Sequence, residues 1–361
     1  MNTNTSIPRR QFIKQAGQAA LVAAASSSLS ALGQPAPPSL TFAIAGAAHI
    51  HTPNYLRFLQ QRPDVKVKCL WDHDPARAAK AARTLNCKTV DDPKAIWDDP
   101  EIKAVVILSE TNRHHDLVPP AARAGKHIFA EKPLGISARE SYDMAAAIEK
   151  AGVLFNTGYF MRAEPSNLFF KQQVDQGAFG KITRVRGSNC HNGSLQHWFD
   201  GDYRWMADPK IAGVGAFGDL GTHSLDILMW LFGDVNAITA DIKVVTGNYG
   251  DCDESGEALM KFKNGITGTL AAGWVDAGNS LPLFISGTQA EAFVLGGMII
   301  MNGRQVAALP DRLPEPMEQF VDAVGGKSVP TLVKPREAAA RVSVMESAYQ
   351  GAAQQAWLKP I

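Results

Sequence analysis

Short apolar runs alternate with amphipathic stretches through the first part of the chain. The apolar runs predict strands at 40–45, 66–71, 104–108, 127–129 and 153–156. The stretches between them predict helices near 52–61, 75–85, 115–124 and 137–150. Such alternation is typical of right-handed strand–helix–strand units and a parallel sheet. Residues 40–156 are therefore predicted to form a Rossmann-like α/β domain.

The pattern changes after about residue 157. It predicts strands at 181–190, 235–246, 256–263 and 266–274, and helices near 165–176, from about 219–223, at 315–325 and at 335–351. Asn264-Gly265 lies between alternating apolar and polar positions, which is a strong signal of a two-residue hairpin. Residues 157–361 are predicted to form an α+β domain with an open mixed or antiparallel sheet, whose C-terminal helices pack back near the first domain.

Composition and charge narrow the class of protein. The 361 residues are 45% apolar and 20% charged, with 36 Lys and Arg against 35 Asp and Glu. This balance offers no basic surface, so we predict neither nucleic-acid binding nor a stable membrane anchor. A small neutral ligand between two domains fits better. The 4 cysteines and 9 histidines show no paired or metal-ligand spacing, and we predict no disulfide and no metal.

The first 33 residues have the features of an export signal. Arg9 and Arg10 precede a weakly apolar, alanine-rich stretch, and Ala31-Leu32-Gly33 offers a small-residue cleavage site. The segment resembles a twin-arginine signal, and a proline-rich leader follows at 34–39. These features predict a periplasmic protein, exported by the twin-arginine machinery, with the signal removed. The alternative is a chance arginine pair at a chain terminus.

The turn after the first predicted strand keeps part of a dinucleotide fingerprint. Residues 45–51 read AGAAHIH, so Gly46 stands at the first glycine of a G-x-G-x-x-G pattern. Ala48 and His51 replace the second and third glycines. Residues 40–156 are thus interpreted as a dinucleotide-binding domain.

Asp72 ends the second predicted strand, where a carboxylate can accept hydrogen bonds from ribose hydroxyls and repels a 2′-phosphate. This favours NAD over NADP, although Arg77 could still meet a phosphate. The alternative is that Asp72 and Asp74 only begin the helix at Pro75.

Two separated motifs resemble one known family. Residues 124–134, AGKHIFAEKPL, resemble the strand and Glu-Lys-Pro signature of the glucose-fructose oxidoreductase, inositol dehydrogenase and rhizopine catabolism (Gfo/Idh/MocA) family. Residues 219–226, DLGTHSLD, resemble its D-x-G-x-H-x-x-D segment. The segment 158–162 and the last helix also fit, so the resemblance covers about 40–361. It implies an NAD(P)-dependent oxidoreductase that acts on CH–OH groups and forms a homo-oligomer through an exposed sheet face.

Lys132, Asp219 and His223 are the candidate catalytic residues. Lys132 follows a strand at the carboxyl edge of the predicted parallel sheet, where its ammonium could donate to a substrate hydroxyl as hydride leaves. Asp219 and His223 are four residues apart and share one face if the segment is helical, with Asp226 on the same stripe. An imidazole can take the hydroxyl proton. The resemblance implies these three as the catalytic set, with His223 as the general base.

The other candidate site residues contact cofactor or substrate. The expected cofactor contacts are Gly46, Ala48, His49, His51, Asp72, Asn112, His115, Glu131 and Lys132. The expected substrate contacts are Tyr159, Arg162, His191, Trp198, Arg204, Asp219 and His223. Aromatic faces stack on sugar rings, but the aromatic cluster at 197–205 could instead close a core or a subunit contact.

We therefore expect an exported oxidoreductase that transfers a hydride between a secondary alcohol of a sugar, cyclitol or glycoside and a tightly bound NAD(P). Since the periplasm supplies no free nicotinamide cofactor, the dinucleotide is expected to be recycled within each catalytic cycle. One alternative is an NAD-dependent glycosidase or lyase that cleaves glycosides through transient ring oxidation. A second is a non-catalytic carbohydrate-binding or assembly protein, which the altered glycine turn favours.

Overall fold

The structure, a computed structural model, describes residues 40–330 and 332–361. The predicted export signal at 1–33 and the leader at 34–39 lie outside the described residues. Within the described part of the chain, no helix is long and apolar enough to cross a membrane.

The first sheet is parallel and has six strands in the order β3-β2-β1-β4-β5-β6. This is the strand order of a Rossmann fold, and the predicted fold class is confirmed. Residues that alternate along β1 are buried on opposite faces of the sheet, so both faces are covered. The strands are β1 (Leu40–Ala45), β2 (Val65–Trp71), β3 (Lys88–Thr89), β4 (Ala104–Ile107), β5 (His127–Ala130) and β6 (Phe155–Thr157).

Five helices connect these strands. Asp74 begins the second of them, because its side chain accepts hydrogen bonds from the amides of Ala76 and Arg77. Ser137 caps the fifth by accepting from Glu140 N. The helices are α1 (Thr52–Gln61), α2 (Pro75–Leu85), α3 (Lys94–Trp97), α4 (His114–Arg123) and α5 (Ala138–Ala151).

The second sheet is mixed, as predicted, and has eight strands in the order β14-β13-β12-β11-β7-β10-β9-β8. Its one parallel pairing joins β7 and β10, and its other pairings are antiparallel. The predicted hairpin turn at Asn264-Gly265 connects β9 to β10. The strands are β7 (Ile182–Cys190), β8 (Val235–Lys243), β9 (Ser255–Phe262), β10 (Thr267–Gly273), β11 (Leu283–Gly287), β12 (Glu291–Leu295), β13 (Met298–Met301) and β14 (Arg304–Gln305).

One helix runs through the centre of the second part. Every residue of this helix except Trp230 is buried, and it packs on β7 and β10. The last helix packs against both α5 and β8, where Arg336 pairs with Glu149 at 2.9 Å. The helices of this part are α6 (Pro165–Asp175), α7 (Pro209–Ala212), α8 (Ala216–Phe232, the central helix), α9 (Pro316–Val324) and α10 (Pro335–Gln354), and short 3-10 turns lie at Thr111–Arg113, Phe160–Ala163 and Gly201–Ala207.

The structure corrects the predicted start of α8. The helix begins at Ala216, before the expected 219–223. Asp253, from a distant loop, accepts a hydrogen bond from Phe217 N at 2.8 Å and so caps the helix start. A local sequence pattern does not show a cap supplied from more than thirty residues away.

The strand predicted at 235–246 ends at Lys243 instead. The Glu254 carboxylate accepts hydrogen bonds from the backbone amides of Val245 and Thr246 at 2.8 and 2.5 Å, so these amides do not pair with the neighbouring strand. Strands β11 to β14 were not predicted, because each has five residues or fewer and the pattern there is weak. The outer face of this sheet, where Leu259 is 39% exposed, stays the predicted surface for a homo-oligomer.

Candidate active site

The candidate site lies where the carboxyl end of β5 meets the first turns of α8. Lys132 follows β5 after Glu131, and Asp219 lies in the first turn of α8. Both side chains are buried. A parallel sheet binds ligands at this edge, and a helix N-terminus stabilises a carboxylate.

Lys132 and Asp219 form a buried ion pair. Lys132 Nζ donates to Asp219 Oδ1 at 2.7 Å and to the Asp219 carbonyl at 3.3 Å. Burial of Asp219 opposes its ionisation, but the neighbouring ammonium outweighs burial and lowers the pKa of this carboxyl to about 2. The carboxylate therefore stays charged at neutral pH and fixes the direction of the ammonium.

Trp274 holds the other side of the Asp219 carboxylate. Its indole Nε1 donates to Asp219 Oδ2 at 3.1 Å, and its ring lies 3.9 Å from the ring of Phe199. Trp274 is not among the site residues predicted from the sequence. A buried tryptophan at the end of a strand has no local signal that shows its partner, since Asp219 lies 55 residues earlier.

His223 lies one turn after Asp219 on the same face of α8 and is buried. Burial, with the charge of Lys132, lowers the pKa of this imidazole well below its usual value, so the ring is neutral at physiological pH. Its Nδ1 has no hydrogen-bond partner within the described residues. Its ring contacts those of Phe160, at 4.9 Å, and Tyr159, at 6.2 Å. The neutral ring has a nitrogen lone pair that can accept a proton, and its lowered pKa makes it a weaker base than an exposed histidine.

The glycine turn between β1 and α1 has the shape of a dinucleotide turn at its first position. Gly46 has a φ of +84°, and a Cβ there would lie 2.5 Å from backbone atoms of Ser109. Ala48 is buried next to it. At the start of α1, the Oγ1 of Thr52 is buried and has no partner within the described residues.

The predicted ribose contact, Asp72, lies in this region but is already bonded. Its carboxylate accepts from Ala47 N at 2.7 Å, from Asp74 N at 2.8 Å and from the Arg77 guanidinium twice at 2.8 Å. Arg77 also donates to Glu110 at 2.8 Å. A ribose hydroxyl would therefore compete with Arg77 for Asp72, and the role of Asp72 stays a prediction.

His49, His51 and Glu131 meet beside the Lys132–Asp219 pair. His51 Nδ1 lies 3.1 Å from Glu131 Oε1, and His49 Nδ1 lies 3.8 Å from the same oxygen. Tyr55 donates its hydroxyl to that oxygen at 2.5 Å. Burial lowers the pKa of His49 to about 3, and the two histidines hold the pKa of the buried Glu131 well below its usual value despite the burial. All three were predicted as cofactor contacts, but their contact with one another was not predicted.

Two of the predicted substrate contacts have structural partners. Tyr159 is buried, with its hydroxyl 3.1 Å from Thr222 Oγ1. The guanidinium of Arg162 donates twice to Asp226, at 2.8 and 2.6 Å, and pairs with Glu337 at 2.9 Å. This ion-pair network engages the charge of Arg162, so its role as a substrate contact stays a prediction.

The aromatic cluster lies further out. The rings of His191 and Trp198 are 4.8 Å apart, and 47% of Trp198 is exposed. The Arg204 guanidinium lies 4.8 Å from the ring of Tyr249 and lines a cavity of about 630 Å³. Trp205 lines this cavity and also the small one that contains Lys132, so the two adjoin.

Asn112 and His115 complete the predicted cofactor contacts. Asn112 is exposed in the 3-10 turn after β4, and His115 is half-buried in the first turn of α4. Both lie near the carboxyl edge of the first sheet, as predicted.

Comparisons with known proteins decide the family. A family model described as "Oxidoreductase family, NAD-binding Rossmann fold" matches residues 40–159, and one described as "GFO/IDH/MocA C-terminal domain" matches residues 168–293. The chain belongs to the Gfo/Idh/MocA family. The predicted family and fold class are thus confirmed, and NAD is the cofactor for which its first domain is named.

Several curated relatives are named for polyol or sugar substrates. Levoglucosan dehydrogenase of Pseudarthrobacter phenanthrenivorans is 29% identical over 231 residues, which cover 57% of this chain and 58% of that protein. The scyllo-inositol 2-dehydrogenase (NAD(+)) of Bacillus subtilis is 29% identical over 239 residues, 64% of this chain and 67% of that protein. The 2,7-anhydro-N-acetylneuraminate hydratase of Escherichia coli is 25% identical over 226 residues, 60% of this chain and 57% of that protein. The matches thus span little more than half to two thirds of these relatives.

Solved structures show the same fold. Levoglucosan dehydrogenase in complex with NADH and levoglucosan superposes with a TM-score of 0.73 at 22% identity, covering 89% of this chain and 99% of that one. GenD2 from gentamicin A biosynthesis, in complex with NAD, superposes with a TM-score of 0.71 at 21% identity, covering 91% of this chain and 98% of that one.

Proposed function

We propose that the protein is an oxidoreductase that transfers a hydride between NAD and a secondary alcohol of a sugar, cyclitol or glycoside. The observation that carries the proposal is the buried Lys132–Asp219 pair, 2.7 Å apart, with a neutral His223 one turn further along α8. Two relatives are named as dehydrogenases, one of an anhydrosugar and one of a polyol, and these names support the substrate class.

The residues of the first domain fit NAD. Gly46 makes the tight turn that a Cβ would block, and the unpartnered Oγ1 of Thr52 lies at the N-terminal end of α1, where a diphosphate binds in such domains. The Gly46 turn, Thr52 and Lys132 would hold the dinucleotide along the carboxyl edge of the sheet. When bound, NAD supplies the hydride acceptor.

Lys132 orients the alcohol. An ammonium has three donors, and Asp219 takes two of them through Oδ1 and its carbonyl oxygen. The third donor of Lys132 can bind the substrate hydroxyl and stabilise alkoxide character as the C–H bond breaks. His223 accepts the hydroxyl proton, because burial keeps its ring neutral. Asp219 holds the Lys132 ammonium in position, and Trp274 holds the Asp219 carboxylate.

Export and a retained cofactor are part of the proposal. The twin-arginine pattern at Arg9 and Arg10 supports a periplasmic location. Because free dinucleotide is scarce there, the bound NAD would be loaded before export and restored within each cycle by a second carbonyl substrate.

A second candidate is net glycoside cleavage or hydration. Hydride transfer to NAD would turn a ring carbinol into a ketone, which acidifies the adjacent C–H. A base would take that proton as the leaving group departs, water would add to the resulting enone, and return of the hydride would restore the alcohol. A relative named as a hydratase supports this candidate. Both routes need the same hydride and proton handling by Lys132 and His223.

The test offers the purified protein inositols, levoglucosan, aldoses and aryl glycosides, with and without added NAD. Reduced nicotinamide or a new polyol indicates the dehydrogenase or dismutase route, and released phenol indicates cleavage. His223→Asn should lower turnover by roughly 10²–10⁴ while NAD binding is retained. His197→Asn is the control, since 66% of the His197 side chain is exposed. A wild-type protein that binds no dinucleotide, or a His223→Asn variant with full turnover, contradicts the proposal.

A further inference from the structure

We propose that His49, His51 and Glu131 bind one divalent transition-metal ion of the zinc class beside the catalytic pair. The site goes beyond the proposed hydride transfer and does not depend on it. It stands on the geometry of the three ligands, the charge buried around them and the bonds that hold them in place.

The ligand atoms have nearly the spacing that a zinc ion needs. One ring nitrogen from each histidine and one carboxylate oxygen all lie within 4.8 Å of one another. The two measured nitrogen–oxygen distances, both to Glu131 Oε1, are 3.1 and 3.8 Å. Ligands about 2.1 Å from a tetrahedral zinc lie roughly 3.4 Å apart. Small side-chain rotations would therefore complete three coordination positions.

The charge of the cluster favours a cation. Glu131 has no exposed side-chain area, and within the described residues its only ion-pair partners are His49 and His51. The nearby ammonium of Lys132 is directed at Asp219. Two buried carboxylates, Glu131 and Asp219, thus lie near one ammonium. Burying a carboxylate is costly unless a cation compensates its charge.

Neighbouring groups already orient the ligands. Tyr55 donates to Glu131 Oε1 at 2.5 Å, and Lys132 N donates to Glu131 Oε2 at 2.8 Å. Second-shell bonds to a ligating carboxylate are typical of metal sites. His51 N also donates to His49 Nδ1 at 3.3 Å, and a metal at this nitrogen would replace that bond.

Two histidines and a carboxylate leave a tetrahedral ion one open position. His49 lines the small cavity that also contains Lys132 and Asp219, so a bound ion would adjoin the expected position of the substrate hydroxyl. The open position suits a water or a substrate oxygen. The competing explanation of the cluster is a His51–Glu131 hydrogen bond with no metal.

The test measures metal binding without turnover. Protein stripped by a chelator and free of NAD is titrated with Zn²⁺ by calorimetry, and Co²⁺ is used as a visible probe of tetrahedral nitrogen and oxygen ligation. We expect one ion per chain for the wild type. His51→Ala and Glu131→Gln should each weaken binding by more than the roughly 10–100-fold that loss of an outer-shell partner costs. His197→Asn, which removes an exposed histidine, should bind as the wild type does.

The deciding variant is His51→Ala, because its side chain is 32% exposed and its removal opens little of the core. Its folding is checked by circular dichroism. Equal Zn²⁺ binding by wild type and His51→Ala, or no stoichiometric binding by the wild type, overturns the proposal and leaves the His51–Glu131 hydrogen bond as the explanation. Since the readout is stoichiometry, an absence of dehydrogenase activity would not affect it.

Discussion

Removing either partner of the buried Lys132–Asp219 ion pair should destabilise the fold strongly. The perturbations are Asp219→Asn and Lys132→Met. Only 3% of the Lys132 side chain and 13% of the Asp219 side chain are exposed, so each single change leaves one charge or one polar group without its partner in the interior. Breaking a buried pair in this way costs about 3–5 kcal/mol of unfolding free energy.

The pKa of Asp219 gives a second, smaller measure of the same interaction. A pKa lowered from 3.8 to about 2 corresponds to about 2 kcal/mol of stability. Since the folded pKa lies below the unfolded one, this stability is present above about pH 4 and is lost as the pH falls toward 2. The Asn variant should lose this pH dependence between pH 4 and 2.

The assay is urea unfolding followed by tryptophan fluorescence at neutral pH. Lys263→Met is the matched control, because the Lys263–Asp234 pair has a similar distance of 2.9 Å but both side chains are at least 60% exposed. It should cost less than about 1 kcal/mol. The double variant Lys132→Met with Asp219→Asn should cost clearly less than the sum of the two single changes. Additive costs, or single costs as small as the control, would refute the buried pair.

Three further predictions follow from the same region. The pKa of His223 lies well below 6.5, so the acid limb of kcat/KM should fall only well below pH 6.5; a limb centred near 6.5 would contradict a neutral buried base. Trp274→Phe keeps an aromatic ring against Phe199 but removes the hydrogen bond to Asp219. We expect kcat to fall with little change in KM, and the free energy of unfolding to fall by about 1.5–3 kcal/mol. An unchanged kcat in steady-state assays would exclude a positioning role. Gly46→Ala places a Cβ 2.5 Å from the Ser109 backbone. The NAD affinity measured by calorimetry and the melting temperature should therefore both drop. If both are retained, the turn can accommodate a Cβ.

Local patterns predicted the architecture well. The alternation of apolar runs located all strands of the first sheet except the two-residue β3, because buried parallel strands are short and continuously apolar. The spacing of Asp219 and His223 predicted a shared helix face, and both lie on one face of α8. Local periodicity and local motifs carry this information.

Contacts between distant residues were not predictable in the same way. His51 and Glu131 are 80 residues apart, and the Lys132–Asp219 pair spans 87 residues. The sequence pattern placed Asp72 at a strand end but did not show that Arg77 would donate to both Asp72 and Glu110. Packing of separate elements decides these partners, and only the fold shows which polar groups are already bonded.

The most direct test of the central claim is a crystal structure of the protein with NAD and a bound sugar or cyclitol. We expect one ring hydroxyl within about 2.6–3.2 Å of Lys132 Nζ and the His223 ring within proton-transfer reach of the same oxygen. The carbon that bears this hydroxyl should face the nicotinamide. A sugar held elsewhere, with Lys132 and His223 both directed away from its hydroxyls, would contradict the account.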